Sequence, residues 1–132
     1  MTTIESKEVI IKKSTQEVMT YLSDLNNYGD LMPDRIKSWE VEGNEAQAYI
    51  EGLGKYAIGI QEKTYNKVVL APTSNVPVNF TIEISVNEHA QGSAVKGAIL
   101  AQLNMMMKMV AQKPLQELID VQINRLEEVL NA

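Results

Sequence analysis

Asn104 to Ala132, NMMMKMVAQKPLQELIDVQINRLEEVLNA, is the stretch whose reading decides the fold. Beyond Pro114, steps of 100° per residue bring Leu115, Leu118, Ile119, Ile123, Leu126, Val129 and Leu130 into one arc of roughly 140°. Gln116, Glu117, Asp120, Asn124, Glu127 and Glu128 take the other side. This half is a helix with one face to bury and one to wet. Before Pro114 the pattern changes, because Met105, Met106, Met107, Met109, Val110 and Ala111 leave only Lys108, Gln112 and Lys113 polar. An element apolar nearly all round is expected to be surrounded by protein or by ligand. Pro114 removes one backbone hydrogen bond and is expected to bend the helix there.

Upstream of this helix the chain reads mostly as strands. Thr3 to Ile11 alternates loosely and is rich in Ile and Val, which favours a first strand. Ser14-Thr15-Gln16-Glu17 has the pattern of a capping box, so a helix is expected to start at Thr15 with Val18, Leu22 and Leu25 on its buried face. Asn26, Asn27 and Gly29 interrupt it, and Tyr28–Met32 is expected to form a short second turn that Pro33 stops.

From Ile36 the period becomes two. Glu42-Gly43-Asn44-Glu45 predicts a tight hairpin with glycine at the first central position of a II′ turn, and Tyr65-Asn66-Lys67-Val68 a second hairpin. Val78–Glu88 is the clearest strand: Phe80, Ile82, Ile84 and Val86 alternate with polar residues, the signature of a sheet covered on one side. Pro72 and Pro77 bracket a loop or interrupted edge. His89–Ser93 is a glycine-containing turn and Ala94–Leu103 the last strand. About seven strands result, with no linker or internal repeat, and residues 1–132 are expected to form one domain.

Composition narrows the function. The 132 residues are 45% hydrophobic and 22% charged, the balance of an ordinary globular domain with a core of its own. There is no cysteine, so disulfides, iron–sulfur clusters and thiolate zinc sites are excluded, and a reducing cytoplasm is compatible. A net charge of -5 without a Lys/Arg-rich run argues against a nucleic-acid partner. No signal-peptide core and no run approaching the roughly 20 apolar residues of a membrane span is found, so no integral membrane association is expected.

Few residues carry chemistry. Gly52-Leu53-Gly54 followed by Gly59 fails as a phosphate loop, because Tyr56–Lys63 alternates like a strand where a helix should begin. One histidine, His89, sits in a turn, and Asp24, Asp30 and Asp34 lack calcium-loop spacing, so neither metal nor cofactor is expected. Glu62 shares strand parity with Tyr56, Ile58 and Ile60; turned inward it would be a desolvated acid or base, at the strand end an ordinary wet carboxylate. Asp34-Arg35 is either a guard of a cavity mouth or a surface pair. Tyr49 and Tyr56 offer hydroxyls to a polar ligand group. Gly97 and Ala101 admit either a ligand or a closely packed helix.

Two local stretches, STQEVMTYL at Ser14–Leu22 and NNYGDLMP at Asn26–Pro33, stand where a helix pair belongs. With the Trp39 strand and the methionine-rich terminal helix, the whole order from Thr3 to Leu130 resembles the START-like (SRPBCC) superfamily. That superfamily includes polyketide cyclases, aromatase-type proteins and lipid-transfer domains. The resemblance implies an α+β helix-grip fold: a curved antiparallel sheet of about seven strands wrapped around a long C-terminal helix, with two short helices after the first strand. It also implies an internal cavity for a hydrophobic small molecule such as a lipid or polyketide. The inward, ligand-binding positions would then include Trp39, Tyr56, Ile58, Ile60, Phe80, Ile82 and Ile84 from the sheet, and Met106, Met109 and Val110 from the helix. The glycine-rich loop of many members is reduced here to Gly43-Asn44. Binding or carriage is the leading expectation; a cyclase- or dehydratase-like enzyme using an inward acid such as Glu62, or an interaction module with a closed interior, are the alternatives.

Overall fold

The computed structural model describes residues 1–74, 76 and 78–132, so Pro77 of the expected loop lies outside the described residues. Strands β1 (Thr2–Glu5) and β2 (Val9–Ile11) are followed by helix α1 (Thr15–Leu22) and a 3₁₀ segment, Leu25–Leu31. Six strands come next: β3 (Ile36–Glu42), β4 (Glu45–Ile50), β5 (Gly54–Lys63), β6 (Lys67–Pro72), β7 (Phe80–His89) and β8 (Gly92–Ala101). Helix α2 (Met105–Asn131) ends the chain and contains Pro114. All pairings are antiparallel, in the order β1-β8-β7-β6-β5-β4-β3 with β2 also on β8.

The expected first strand is broken in two. The Ser6 amide donates to the Gly97 carbonyl at 2.9 Å, and the Ser6 hydroxyl accepts the Gly97 amide at 2.9 Å. A side chain thus takes the place of one ladder carbonyl, and β1 and β2 lie on β8 as separate runs. The clear strand starts at Phe80 instead of Val78, and the last ends at Ala101.

Local chemistry sets the helix starts and turns. The Ser14 hydroxyl accepts from the Glu17 amide at 3.1 Å, while Glu17 Oε1 accepts from the Ser14 amide at 3.2 Å, which completes the capping box. These Ser14 hydrogen bonds, backbone first, hold the Glu17 carboxyl below its ordinary value. Ser14→Ala is expected to cost about 1 kcal/mol of stability, measurable by urea denaturation. Gly43 takes φ 61°, the sign that a II′ turn requires at its first central position, and Glu42 faces Glu45 across it.

The inner face of the sheet buries Ala46, Ala48 and Ile50 of β4, Tyr56 and Ile58 of β5, and Phe80, Ile82, Ile84 and Val86 of β7. Each large apolar side chain so enclosed contributes about 1.5–3 kcal/mol. The buried stripe of α2 is Ala111, Pro114, Leu115, Leu118, Ile119, Gln122, Ile123 and Leu126; Val129, expected in it, is 43% exposed. An alanine-sized Cβ on Gly97 would stand 2.6 Å from Ile119 Cδ1 and 2.9 Å from Ile123 Cγ1, so this glycine admits the helix onto β8. At its far end α2 clasps β2: the Asn131 side chain donates to the Ile10 carbonyl at 3.0 Å and accepts from the Lys12 amide at 2.7 Å.

Candidate functional site

The interior of the grip is a packed core enclosed by the inner face of the sheet, by α2 where it meets β1, β2, β8 and the 3₁₀ segment, and by α1 where it meets β6, β7 and β8. Alternation along the strands aims Tyr56, Ile58, Phe80, Ile82 and Ile84 into it, with exposures between 0% and 3%. The rings of Tyr56 and Phe80 sit 5.4 Å apart, tilted by 55°. The Tyr56 hydroxyl donates to the Leu53 carbonyl at 3.2 Å, and burial pushes its pKa up. Tyr56 therefore stays a neutral donor near neutral pH, already engaged with backbone.

The 3₁₀ segment forms one wall. Its start is set by Asp24, whose carboxylate accepts from the Asn26 amide at 3.0 Å. Tyr28 is fully enclosed, donates to the Leu22 carbonyl at 2.7 Å, and burial pushes its pKa far up. Trp39 Nε1 donates to the Leu25 carbonyl at 2.8 Å, and its ring stands 6.3 Å from that of Tyr28. Trp39 is half-buried and lines an outer groove with Gly29, Met32, Pro33 and Ile36. Ile60, also half-buried, lines a cleft of about 390 Å³ with Leu25, Val41, Gly43 and Asn44, between the 3₁₀ segment and the β3–β4 turn.

Helix α2 makes the other wall, and its most unusual residue is Gln122. The side chain is 0% exposed in the middle of the buried stripe, four residues after Leu118 and four before Leu126. Its Nε2 lies 3.9 Å from Met32 Sδ, a weak acceptor, and its Oε1 has no hydrogen-bond partner among the described residues. The neighbouring corner is pinned from both sides: Arg125 Nη1 donates to the Met32 carbonyl, and Arg35 Nε meets Glu117 Oε1 at 3.4 Å. Arg35 thus pairs with the helix, not with Asp34 beside it.

Three of the expected inward positions point the other way. Met106, Met109 and Val110 are 77%, 83% and 60% exposed, since α2 buries no side chain before Ala111 and only Met107 of the preceding turns leans on the core. Being apolar all round does not supply cover; the sheet and the other elements reach only the side that carries Met107 and Ala111. Glu62 is also outward. Between Ile60 and Glu62 the ladder slips, so that Ile60 faces Leu70 and Glu62 faces Val69, with Gln61 the extra residue. A bulge reverses the side on which every later residue of a strand falls, and Glu62 is exposed.

Gln122 was absent from the sequence-based site. Its signal was present, because 100° steps place it inside the arc of Leu115, Leu118 and Leu126, where a polar residue is out of pattern. Among the described residues, no group of three or more metal-binding side chains occurs, and no helix is long and apolar enough to cross a membrane.

No family model and no curated protein matches the chain. Solved structures do. The KanY protein, solved by NMR, superposes with a TM-score of 0.79 over 100% of both chains at 13% identity. TTHA0849 from Thermus thermophilus superposes at 0.73, with 14% identity over 98% of this chain and 97% of that one. A START superfamily protein from Mycobacterium smegmatis superposes at 0.68, with 14% identity over 97% and 96%. Likeness at this identity speaks for architecture, and it agrees with the strand order and the terminal helix: the chain has the START-like, helix-grip fold.

Proposed function

We propose that the chain binds a hydrophobic small molecule in the interior of the grip, and that this molecule carries a hydrogen-bond donor, such as a hydroxyl, which meets Gln122 Oε1. The observation behind this reading is the orphaned amide oxygen. Burying an unpaired carbonyl oxygen costs about 1–3 kcal/mol, and methionine or leucine at the same place would avoid that cost. An apolar lining with a few convergent polar atoms is the usual make-up of a small-molecule site. Met32, against the Gln122 amide, is unbranched and flexible and can give way to a guest. Tyr56, Ile58, Phe80, Ile82 and Ile84 would supply the apolar contacts, with Ile60 and Trp39 nearer the outside. Because the first five are closed to solvent, entry requires that side chains part, and we propose the cleft at Ile60 as the way in.

The test is a matched pair of probes, 1-naphthol and 1-methylnaphthalene, titrated into the wild-type chain and into Gln122→Met. The wild type is expected to prefer the naphthol by about tenfold. Gln122→Met is expected to lose that preference while gaining about 3–6 °C in Tm. Binding of neither probe would sink the ligand reading; a preference that survives in Gln122→Met would sink the role of the amide alone.

A second reading is an interaction module with a closed interior, favoured by the enclosure of Tyr56, Phe80, Ile82 and Ile84. It expects no binding of either probe. The cyclase-like alternative rested on an inward acid, and Glu62 lies outside.

A further inference from the structure

The first two turns of α2 reverse the usual arrangement of a surface helix. Met105, Met106, Met109 and Val110 are 83%, 77%, 83% and 60% exposed, and they share one arc of about 140° on the side away from Met107 and Ala111. Lys108 and Lys113 are exposed on the same turns, and no acidic residue occurs from Asn104 to Gln116. In a chain of net charge -5 this is a basic, apolar ridge on an acidic body.

Three occupants suit an exposed apolar face, and the observations separate them. A standard protein interface buries roughly 800 Å² and about 20–30 residues on each partner, whereas the apolar part of this ridge is four side chains on two helical turns. A second copy packed ridge to ridge would also bring the lysines of the two copies, Lys108 and Lys113, near one another, where like charges repel. A folded acidic partner would have to offer a groove shaped to a convex ridge. A fluid interface needs no preformed groove: flexible methionines enter it, and lysines reach back to the headgroups along their apolar stems.

We propose that the first two turns of α2 dock on an anionic lipid surface. Met105, Met106, Met109 and Val110 enter the boundary between headgroups and acyl chains, and Lys108 and Lys113 meet lipid phosphates. The acidic remainder of the chain is repelled by the same surface, which fixes the orientation with the ridge downward. The inference stands on the exposed ridge and is independent of what the interior holds.

Co-sedimentation of the intact chain with phosphatidylcholine vesicles, with and without about one-third phosphatidylglycerol, tests it. Binding is expected only with phosphatidylglycerol present, falling at least about tenfold in Met106→Ser/Met109→Ser and in Lys108→Glu/Lys113→Glu. Raised salt is expected to weaken it further. Both double variants change exposed side chains, so an unchanged Tm shows that the fold is intact. Equal binding to neutral vesicles, no binding to either, or variants that bind as the wild type does would overturn the proposal. So would a dimer in sedimentation equilibrium that Met106→Ser/Met109→Ser dissociates, which would assign the ridge to a second copy, or an acidic protein that saturates it.

Discussion

Gly92→Ala is expected to lower stability by about 3 kcal/mol or more and Tm by about 10 °C or more. Gly92 follows the β7–β8 turn with φ 135°, a conformation that side-chain-bearing residues rarely adopt. An added Cβ would lie 2.3 Å from the Ile11 carbonyl oxygen and 2.9 Å from both the amide nitrogen and the carbonyl oxygen of Lys13. These neighbours are backbone, so no rotamer change relieves the clash. The chain leaving β2 must move, and with it the hydrogen bond from the Ser93 hydroxyl to the Lys13 carbonyl at 2.7 Å. A thermal melt followed by circular dichroism reads the effect. A loss under about 1 kcal/mol would mean that the end of β2 does not cross the hairpin as described.

Gly97→Ala is expected to cost about 1–3 kcal/mol, or roughly 3–10 °C in Tm, for a different reason. Here the backbone accepts a side chain and the obstacle is the helix, through Ile119 and Ile123, both fully buried. Because Ile119 Cδ1 is the nearest atom, the double variant Gly97→Ala/Ile119→Val should recover part of the loss, although Ile119→Val alone costs about 0.5–1.5 kcal/mol. Strictly additive losses would show that Gly97 and Ile119 do not touch. The pairing decides between two sequence-based expectations, since Gly97 was open to either a ligand or a close helix, and the helix fills the place.

The elements legible from sequence are those whose cause is local. Ser14 and Glu17 satisfy each other within one turn, and the alternation of Phe80, Ile82, Ile84 and Val86 needs only a sheet with one covered side. Features whose cause is a distant partner are not legible in the same way. Nothing near Ser6 announces that its hydroxyl will take the amide of Gly97, and nothing in Tyr56–Lys63 reveals a ladder slip that depends on how β6 is paired. The methionines of α2 were legible as apolar but not as uncovered, because cover depends on where the sheet ends. Gln122 is the converse: its position was readable from the helical period alone, but its unpaired oxygen is a property of the packed interior.

The pairing of β1 and β2 with β8 also dictates an order of events. Thr2 finds Ala101, and Val9 finds Val95, across most of the chain's length, and Asn131 then locks Ile10 and Lys12. During synthesis the opening segment therefore waits, unpaired, while six further strands are made. Such long-range closure slows folding and leaves a β-prone segment exposed to other nascent chains. Lys7, Glu8, Lys12 and Lys13 flank Val9, Ile10 and Ile11, and charges so placed oppose the pairing of a waiting strand with its like.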